Sequence, residues 1–253
     1  MHNLIVSNTA LALTGVFVLF ALWIGYKQDL GIAKSLIVAT IRCVVQLFIV
    51  GYVLKYVFKI DNWLLTICLI LIIIFNGAYN AKGRSNGLKD SFKISLTAIA
   101  TSTIVILLVL VLDGSVKFIP SQIIPLTGMI VSNSMVAMGL CFRTMSSMFK
   151  DRRSQVMEML ALGATPMMAS KNIIRDAIKA GLQPTIDTAK TVGLVALPGM
   201  MSGMIFAGAD PVLAIKCQIM VTFMLLGITS ISSIIGCYMG YKSFFNRYAQ
   251  LIN

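Results

Sequence analysis

Polar side chains at helical spacing inside long apolar stretches are the residues of this chain best suited to bind a solute. Arg42 and Gln46 are four residues apart, as are Asn76 and Asn80, so each pair shares one face of a helix. Asn133 interrupts a later apolar stretch. Polar residues at such depth commonly mark a transport pathway. Two alternatives stay open: the amides can hydrogen-bond between helices, and Arg42 can extend to lipid phosphate.

Methionines near an expected helix break form a second candidate binding element. The ring of Pro198 removes a backbone hydrogen bond, which predicts a kink or break near the middle of the membrane. Met200, Met201 and Met204 follow it closely. Thioether sulfur binds soft metal ions, although flexible methionine also fills apolar space. We expect these methionines and the polar residues above to converge near Pro198.

The sequence offers little for catalysis. Its only histidine is His2, which excludes the H-E-x-x-H zinc motif and a serine–histidine dyad within the membrane. The five cysteines are scattered without a C-x-x-C pair, so they predict neither a disulfide framework nor a thiolate cluster. No G-x-x-x-x-G-K-S/T phosphate loop is present. We therefore predict that the chain is not an enzyme, holds no cofactor, and leaves any ATP hydrolysis to a second polypeptide.

A signal for two helices joined by a sharp turn lies in the longest polar interval. Gly163 suits a left-handed helix end, Thr165 can cap the following helix, and Pro166 suits its first position. Beyond this elbow, basic residues including Lys171 and Arg175 lie on one face, opposite apolar residues. The pattern predicts an amphipathic helix that lies along the membrane surface or in a groove of a partner.

Composition places the chain in a membrane. Of its 253 residues, 58% are hydrophobic and only 12% are charged, and the mean hydropathy is +0.89. Soluble domains carry roughly a quarter charged residues. We therefore predict an all-α polytopic protein in contact with the lipid bilayer. The net charge of +12 resides mainly between the apolar runs, which the positive-inside rule explains, so no nucleic-acid partner is predicted.

Apolar runs long enough to cross a bilayer predict about seven transmembrane helices. They fall at 4–26, 35–58, 63–81, 92–112, 119–142, 188–207 and 212–240. Sixteen of the 21 lysines and arginines lie in alternate loops and the C-terminal tail, whereas the other loops hold only Lys55, Lys59 and Lys117. This asymmetry predicts an N-terminus outside and a C-terminus in the cytoplasm. The expected location is the plasma membrane, in a bacterium the inner membrane, as a multi-pass protein.

Five groups of residues carry a resemblance to a known family. They are Arg42-x-x-x-Gln46-Leu47 with Gly51-Tyr-Val-Leu54, Gly128-Met-Ile-Val-Ser-Asn-Ser-Met135, Glu158-x-Leu-x-Leu-Gly-Ala164, Pro184-Thr-Ile-Asp187, and Leu197-Pro-Gly-Met-Met-Ser-Gly-Met-Ile205 with Ala207-Gly-Ala-Asp-Pro211. Their order and spacing hold over nearly the whole chain. In these groups the sequence resembles the FetB-type iron-export permease family, which includes bacterial permeases linked to iron export and plant relatives linked to aluminium tolerance and nucleotide-sugar export.

The resemblance implies a permease subunit of an ATP-driven ABC exporter, with residues 1–253 forming one permease domain. It implies a homodimer in which each protomer binds a cytoplasmic ABC ATPase that carries Mg-ATP. The polar interval at about 143–187, between the fifth and sixth spans, would be the coupling segment. The implied contacts with the ATPase are Glu158, Leu160, Gly163, Ala164, Pro166, Lys171 and Arg175. The pathway residues predicted from the polar and thioether side chains within the spans are Arg42, Gln46, Asn76, Asn80, Asn133, Pro198, Met200, Met201 and Met204.

Iron or a related metal ion is the cargo that the resemblance implies. One alternative is an ABC exporter of an organic solute such as a nucleotide sugar, in which Arg42 and the amides bind a polar anion. Another is a gradient-driven secondary transporter or channel, which needs no ATPase. Met204 stands where the family often has Gln, and Cys217 stands where a Tyr often precedes Gln218. Both departures make the expected pathway softer and less polar.

Overall fold

The computed structural model describes residues 8–60, 62–85 and 87–252, and in these ranges the chain is predominantly helical. The α-helices are α1 Asn8–Lys27, α2 Ala33–Ile60, α3 Trp63–Gly83, α4 Ser91–Leu112, α5 Pro120–Asp151, α6 Arg153–Ala161, α7 Pro166–Thr191, α8 Gly199–Phe206 and α9 Pro211–Gly240. A 3-10 helix, Tyr241–Phe244, follows α9. The β-structure in the described ranges is limited to two isolated bridges, so the all-α prediction is confirmed. His2 and residues 4–7 of the first expected span lie outside the described residues.

Five helices of the described chain are long and apolar enough to cross a membrane: α2, α3, α4, α5 and α9 with its 3-10 extension. α1 contains a shorter apolar stretch, Leu13–Lys27. The expected span 188–207 is not one helix, because α7 ends at Thr191 and α8 begins at Gly199. That segment combines the end of α7, an irregular stretch and α8. The prediction of a polytopic helical membrane protein is confirmed, with this segment divided.

α5 is the central helix of the bundle and contacts α3, α4, α7 and α9. With 32 residues it is about 48 Å long, whereas the hydrocarbon core of a bilayer is about 30 Å thick, so α5 extends beyond the membrane. Its buried side chains join three apolar clusters in succession. The clusters contain Ile123 and Ile130 near its start, Met138 in the middle, and Met145 and Phe149 near its end. One helix thereby connects the two ends of the bundle.

Small residues allow α7 and α9 to approach α5 closely. A side chain added at Gly181 of α7 would collide with Cys141 of α5 and would crowd Ser233 of α9. A side chain added at Gly236 of α9 would collide with Met138 of α5. The three helices are therefore interlocked, and a displacement of α7 is transmitted to its neighbours.

α2 packs loosely against the other helices. Among its side chains only Val57 is buried, and Leu47, Phe48 and Tyr52 are more than half exposed. In a membrane protein, an apolar surface of this extent is covered by lipid or by another subunit.

Candidate functional site

The predicted elbow is a tight turn between α6 and α7. Gly163 adopts a left-handed conformation with a φ of +87°. Its N–H donates to the Leu160 carbonyl at 3.0 Å, and the N–H of Ala164 donates to the Met159 carbonyl at 2.9 Å. These two bonds form a Schellman motif, which satisfies carbonyls at the end of α6. The left-handed helix end predicted at Gly163 is confirmed.

The start of α7 also follows the sequence prediction. The Thr165 hydroxyl oxygen accepts a hydrogen bond from the Met168 N–H at 3.3 Å, and Pro166 is the first residue of the helix. Arg152, where α5 and α6 meet, donates to the carboxylate of Asp176 on α7 at 3.2 Å. This bond braces the elbow against the body of α7.

The residues expected to contact an ATPase divide into an exposed and a half-buried group. Glu158, Lys171 and Arg175 are exposed, and Leu162 at the tip of the elbow has 89% of its surface exposed. Within the described chain, Lys171 and Arg175 form no ion pair. Leu160, Ala164 and Pro166 are half-buried, and Leu160 packs against the apolar cluster that contains Met145 and Phe149.

α7 does not lie free on a surface, which corrects the sequence prediction. Its apolar face, including Ile173, Ile174 and Ala177, is buried against Met145 and Phe149 of α5 and against α9. The reason is the close approach at Gly181, which a helical pattern alone does not reveal. The expected coupling segment 143–187 therefore comprises the end of α5, all of α6 and most of α7.

The expected break in the sixth segment is present, and it covers residues 192–198 rather than a kink at Pro198. The Thr191 carbonyl accepts hydrogen bonds from the N–H groups of Leu194, Val195 and Ala196 at 3.0–3.3 Å, so the regular helical pattern stops there. Pro198 is extended and directly precedes the first residue of α8, without a side-chain capping bond. Irregular backbone at membrane depth is tolerated only against protein or a wet cavity.

A cavity lies beside this break. Pro198 and Met200 line a space of about 160 Å³ together with Met129 of α5 and Gln218 of α9. Met201 lines an adjoining space of about 520 Å³, which shares Gln218. Met204 is half-buried and lines neither.

Arg42 and Gln46 lie elsewhere. Both are exposed on α2 and line a cleft of about 930 Å³ whose opposite wall includes Gly128 and Ser132 of α5. They share one face, as their spacing predicted. Among the described residues, the cleft and the cavity at the break have no lining residue in common.

The three asparagines bond within their own helices. The Asn80 amide donates to the Asn76 side-chain oxygen at 2.6 Å and to the Asn76 carbonyl at 2.9 Å, and both residues are exposed on α3. The amide of Asn133 donates to the Met129 carbonyl at 2.8 Å. The expected convergence of all the pathway residues near Pro198 is therefore not produced within one chain. The interhelical bonds that were the alternative for these amides are also absent from the described residues.

Gln218 is the residue that the sequence reasoning overlooked. It is only 7% exposed, and its Oε1 atom has no hydrogen-bond partner in the described chain. The signal in the sequence was a pair of polar residues, Gln218 and Thr222, within an apolar run. They are four positions apart, which is the spacing that singled out Arg42 and Gln46. Among the described residues, no group of three or more His, Cys, Asp or Glu could hold a metal ion.

Comparison with known proteins identifies the family. Residues 8–245 match the model of the family described as "Uncharacterised protein family (UPF0014)". The chain is 50% identical over 251 residues to the "Probable iron export permease protein FetB" of Escherichia coli, covering 99% of this chain and 96% of that protein. It is 34% identical to the "UPF0014 membrane protein YjkA" of Bacillus subtilis, covering 96% and 97%, and 34% identical to the Arabidopsis thaliana "Protein ALUMINUM SENSITIVE 3", covering 93% and 86%. No solved structure gives a significant match.

These relatives and the apolar helices agree on the location of the protein. The chain is a multi-pass protein of the bacterial inner membrane, as predicted. The resemblance inferred from the sequence motifs is confirmed, because the family model covers nearly the whole chain. This chain belongs to the UPF0014 family of membrane proteins.

Proposed function

We propose that this chain is the membrane-spanning subunit of an ATP-driven ABC exporter of iron or a related metal ion. The observation that carries the proposal is the 50% identity, over 99% of the chain, to a protein named as an iron export permease. Because the sequence contains no phosphate loop, Mg-ATP is bound and hydrolysed by a separate ATPase.

The elbow supplies a docking surface for that ATPase. Leu162 offers an exposed apolar tip, and Lys171 and Arg175 offer free positive charge beside it. An apolar anchor surrounded by charge is a common arrangement in protein interfaces. Glu158 adds an exposed acceptor on the preceding helix.

α7 offers a mechanical connection from the elbow to the cavity. Its 26 residues extend about 39 Å, from Pro166 at the elbow to Thr191 at the break. Its close packing at Gly181 prevents it from moving independently of α5 and α9. Closure of an ATPase pair against the elbow would thus shift the end of α7, where access to the cavity is determined.

The proposed orientation has the N-terminus outside and the C-terminus in the cytoplasm. Lys89 of the α3–α4 turn lines one pocket with Lys242 and Arg247 of the C-terminal tail. Basic loops gathered at one end of the bundle support a cytoplasmic location for that end. We further propose a homodimer, in which the exposed apolar surface of α2 is partly covered by the second copy.

The ATPase interface is tested by replacing Leu162. Purified chain should bind its ATPase, and Leu162→Glu should weaken that binding at least tenfold because a charge replaces the apolar anchor. Leu112→Glu is the matched control, since Leu112 is 82% exposed at the far end of α4. Equal binding by the Leu162→Glu variant and the wild-type chain would refute the docking surface.

An organic anion is the second candidate cargo, and the cleft at Arg42 favours it. Its volume of about 930 Å³ falls in the range of small-molecule sites, and the Arg42 guanidinium suits a phosphate group. Under this alternative Arg42→Gln abolishes nucleotide-sugar efflux. Under the metal proposal the same change leaves iron efflux within about twofold, because a cation gains nothing from a positive charge.

A further inference from the structure

A pocket at one end of the bundle gathers positive charge from two distant parts of the chain. Its volume is about 470 Å³, and Lys89 of the α3–α4 turn lines it together with Lys242 and Arg247, which follow α9. We call this space the basic pocket. The fold brings these three residues together although Lys89 is far from the other two in the sequence.

The three cations of the basic pocket have no acidic partner in the described chain. Lys89, Lys242 and Arg247 are exposed, and none of them forms an ion pair with another described residue. Among the described lining residues the only carboxylate is that of Asp90, which pairs with Lys93 at 3.7 Å. The local balance, with Lys93 included, is four positive charges against one negative charge. Such a balance attracts an anion.

Another part of the lining is apolar. Ile94 of α4 and Met239 of α9 line the basic pocket, as do Phe245 and Ile252 of the C-terminal tail. A small water-soluble anion gains nothing from such side chains, whereas a lipid buries its acyl chains against them. The combination of unpaired cations and an apolar wall therefore favours an amphipathic anion.

The basic pocket lies at the ends of two helices that are long and apolar enough to span the membrane. Lys89 directly precedes the N-cap residue of α4, and Lys242 lies in the 3-10 extension that ends the span of α9. Lipid phosphates lie at this level, just outside the hydrocarbon core. Exposed apolar side chains, including Ile104 of α4 and Ile234 of α9, continue along the same helices. An acyl chain that leaves the pocket therefore has an apolar surface to follow.

The C-terminal tail is folded back, so the backbone at Arg247 has a defined position. The Ile252 N–H donates to the Phe244 carbonyl at 2.8 Å, which closes a turn that contains Arg247. Phe244 in turn stacks on Phe149 of α5, with ring centroids 4.1 Å apart. Because this backbone is fixed before a ligand arrives, binding costs less conformational entropy.

We propose that the basic pocket binds the headgroup of an anionic phospholipid from the surrounding membrane. The lipid phosphate accepts hydrogen bonds from the ammonium groups of Lys89 and Lys242 and from the guanidinium of Arg247, and Ser243 adds a hydroxyl to the lining. Basic pockets between membrane helices bind anionic lipids in this way, and each basic residue near the surface contributes roughly fivefold to the affinity. The inference does not depend on the proposed function.

The test counts the lipids bound to the full-length chain. Purified chain in detergent micelles is titrated with phosphatidylglycerol, or with phosphatidylcholine of the same acyl chains, and native mass spectrometry records the bound lipids. We expect one phosphatidylglycerol per protomer, bound at least tenfold more tightly than phosphatidylcholine. Lys242→Gln combined with Arg247→Gln should weaken this binding at least tenfold. Lys89→Gln alone should weaken it roughly fivefold, because it removes one charge from the α3–α4 side of the pocket.

Lys55→Gln combined with Lys59→Gln is the matched control, because it removes the same charge from exposed lysines near the end of another spanning helix, α2. This variant should bind phosphatidylglycerol as the wild-type chain does. Equal affinity of the wild-type chain for the two lipids, or an equal loss of binding in the control, would overturn the proposal. Displacement of phosphatidylglycerol by millimolar inorganic phosphate, but not by sodium chloride of the same ionic strength, would identify a site for a free anion and would also overturn it.

Discussion

Substitution of Gly163 probes the elbow without disturbing its surroundings. Gly163 has a φ of +87°, and a Cβ atom built there meets no atom within 4 Å. The main cost of Gly163→Val is therefore backbone strain, about 1–3 kcal/mol for a side chain forced into the left-handed region. A strain of that size lowers the population of the native turn by roughly five- to 150-fold, since about 1.4 kcal/mol is a factor of ten.

The consequence for coupling follows from the hydrogen bonds at this turn. Relief of the strain breaks the bonds of the Gly163 and Ala164 N–H groups, and α6, with only nine residues, loses its defined end. We expect Gly163→Val to insert normally and to lower substrate-stimulated ATP hydrolysis at least fivefold in the reconstituted complex. Gly163→Asn should retain most of the activity, because asparagine tolerates the left-handed region.

Gly114→Val is the control for strain as such. Gly114 has a φ of +76° and equally open surroundings, but it lies between α4 and α5, away from the elbow. This variant should lose similar stability and keep stimulated hydrolysis. If Gly163→Val kept normal stimulated hydrolysis with the ATPase bound, or if both valine variants lost it equally, the elbow would not be the coupling element.

Three further predictions concern topology, the methionines and packing. Single cysteines at the exposed positions Ser115 and Asp210 should react with an impermeant thiol reagent added outside intact cells, and those at Lys89 and Ser154 should not. The reverse labelling pattern would show that the protein has the opposite orientation in the membrane. Met200→Leu should lower iron export severalfold, because it removes a sulfur at nearly constant side-chain volume. Met204 lines neither cavity at the break, so Met204→Leu should leave export unchanged. Equal effects of the two substitutions would show that the Met200 sulfur has no role in transport. Gly181→Val should lower the melting temperature markedly, because overpacking costs about 1–3 kcal/mol or more; an unchanged melting temperature would contradict the close packing of α7 against α5.

Features encoded by neighbouring residues could be predicted from the sequence. The Gly163 helix end and the Thr165 cap depend on hydrogen bonds within a few residues, so residue type and spacing suffice to identify them. The spanning helices likewise follow from continuous apolar runs. The break before Pro198 was expected for the same reason, although its extent was not.

Features that depend on contacts between distant helices could not be read from the pattern. The burial of the apolar face of α7 requires Gly181 to meet Cys141, which is 40 positions away in the chain. The separation of Arg42 from the cavity at Pro198 is set by the loose packing of α2. Gln218 was overlooked because a single amide in an apolar run gives no sign that its oxygen is buried without a partner.

ATP-driven iron transport by the reconstituted complex tests the central claim most directly. Inside-out vesicles containing this chain and its ABC ATPase should accumulate Fe²⁺ only when Mg-ATP is supplied, and an ATPase with its phosphate-loop lysine replaced should abolish the accumulation. Iron accumulation that follows an imposed ion gradient, without the ATPase, would contradict the account and identify a gradient-driven transporter.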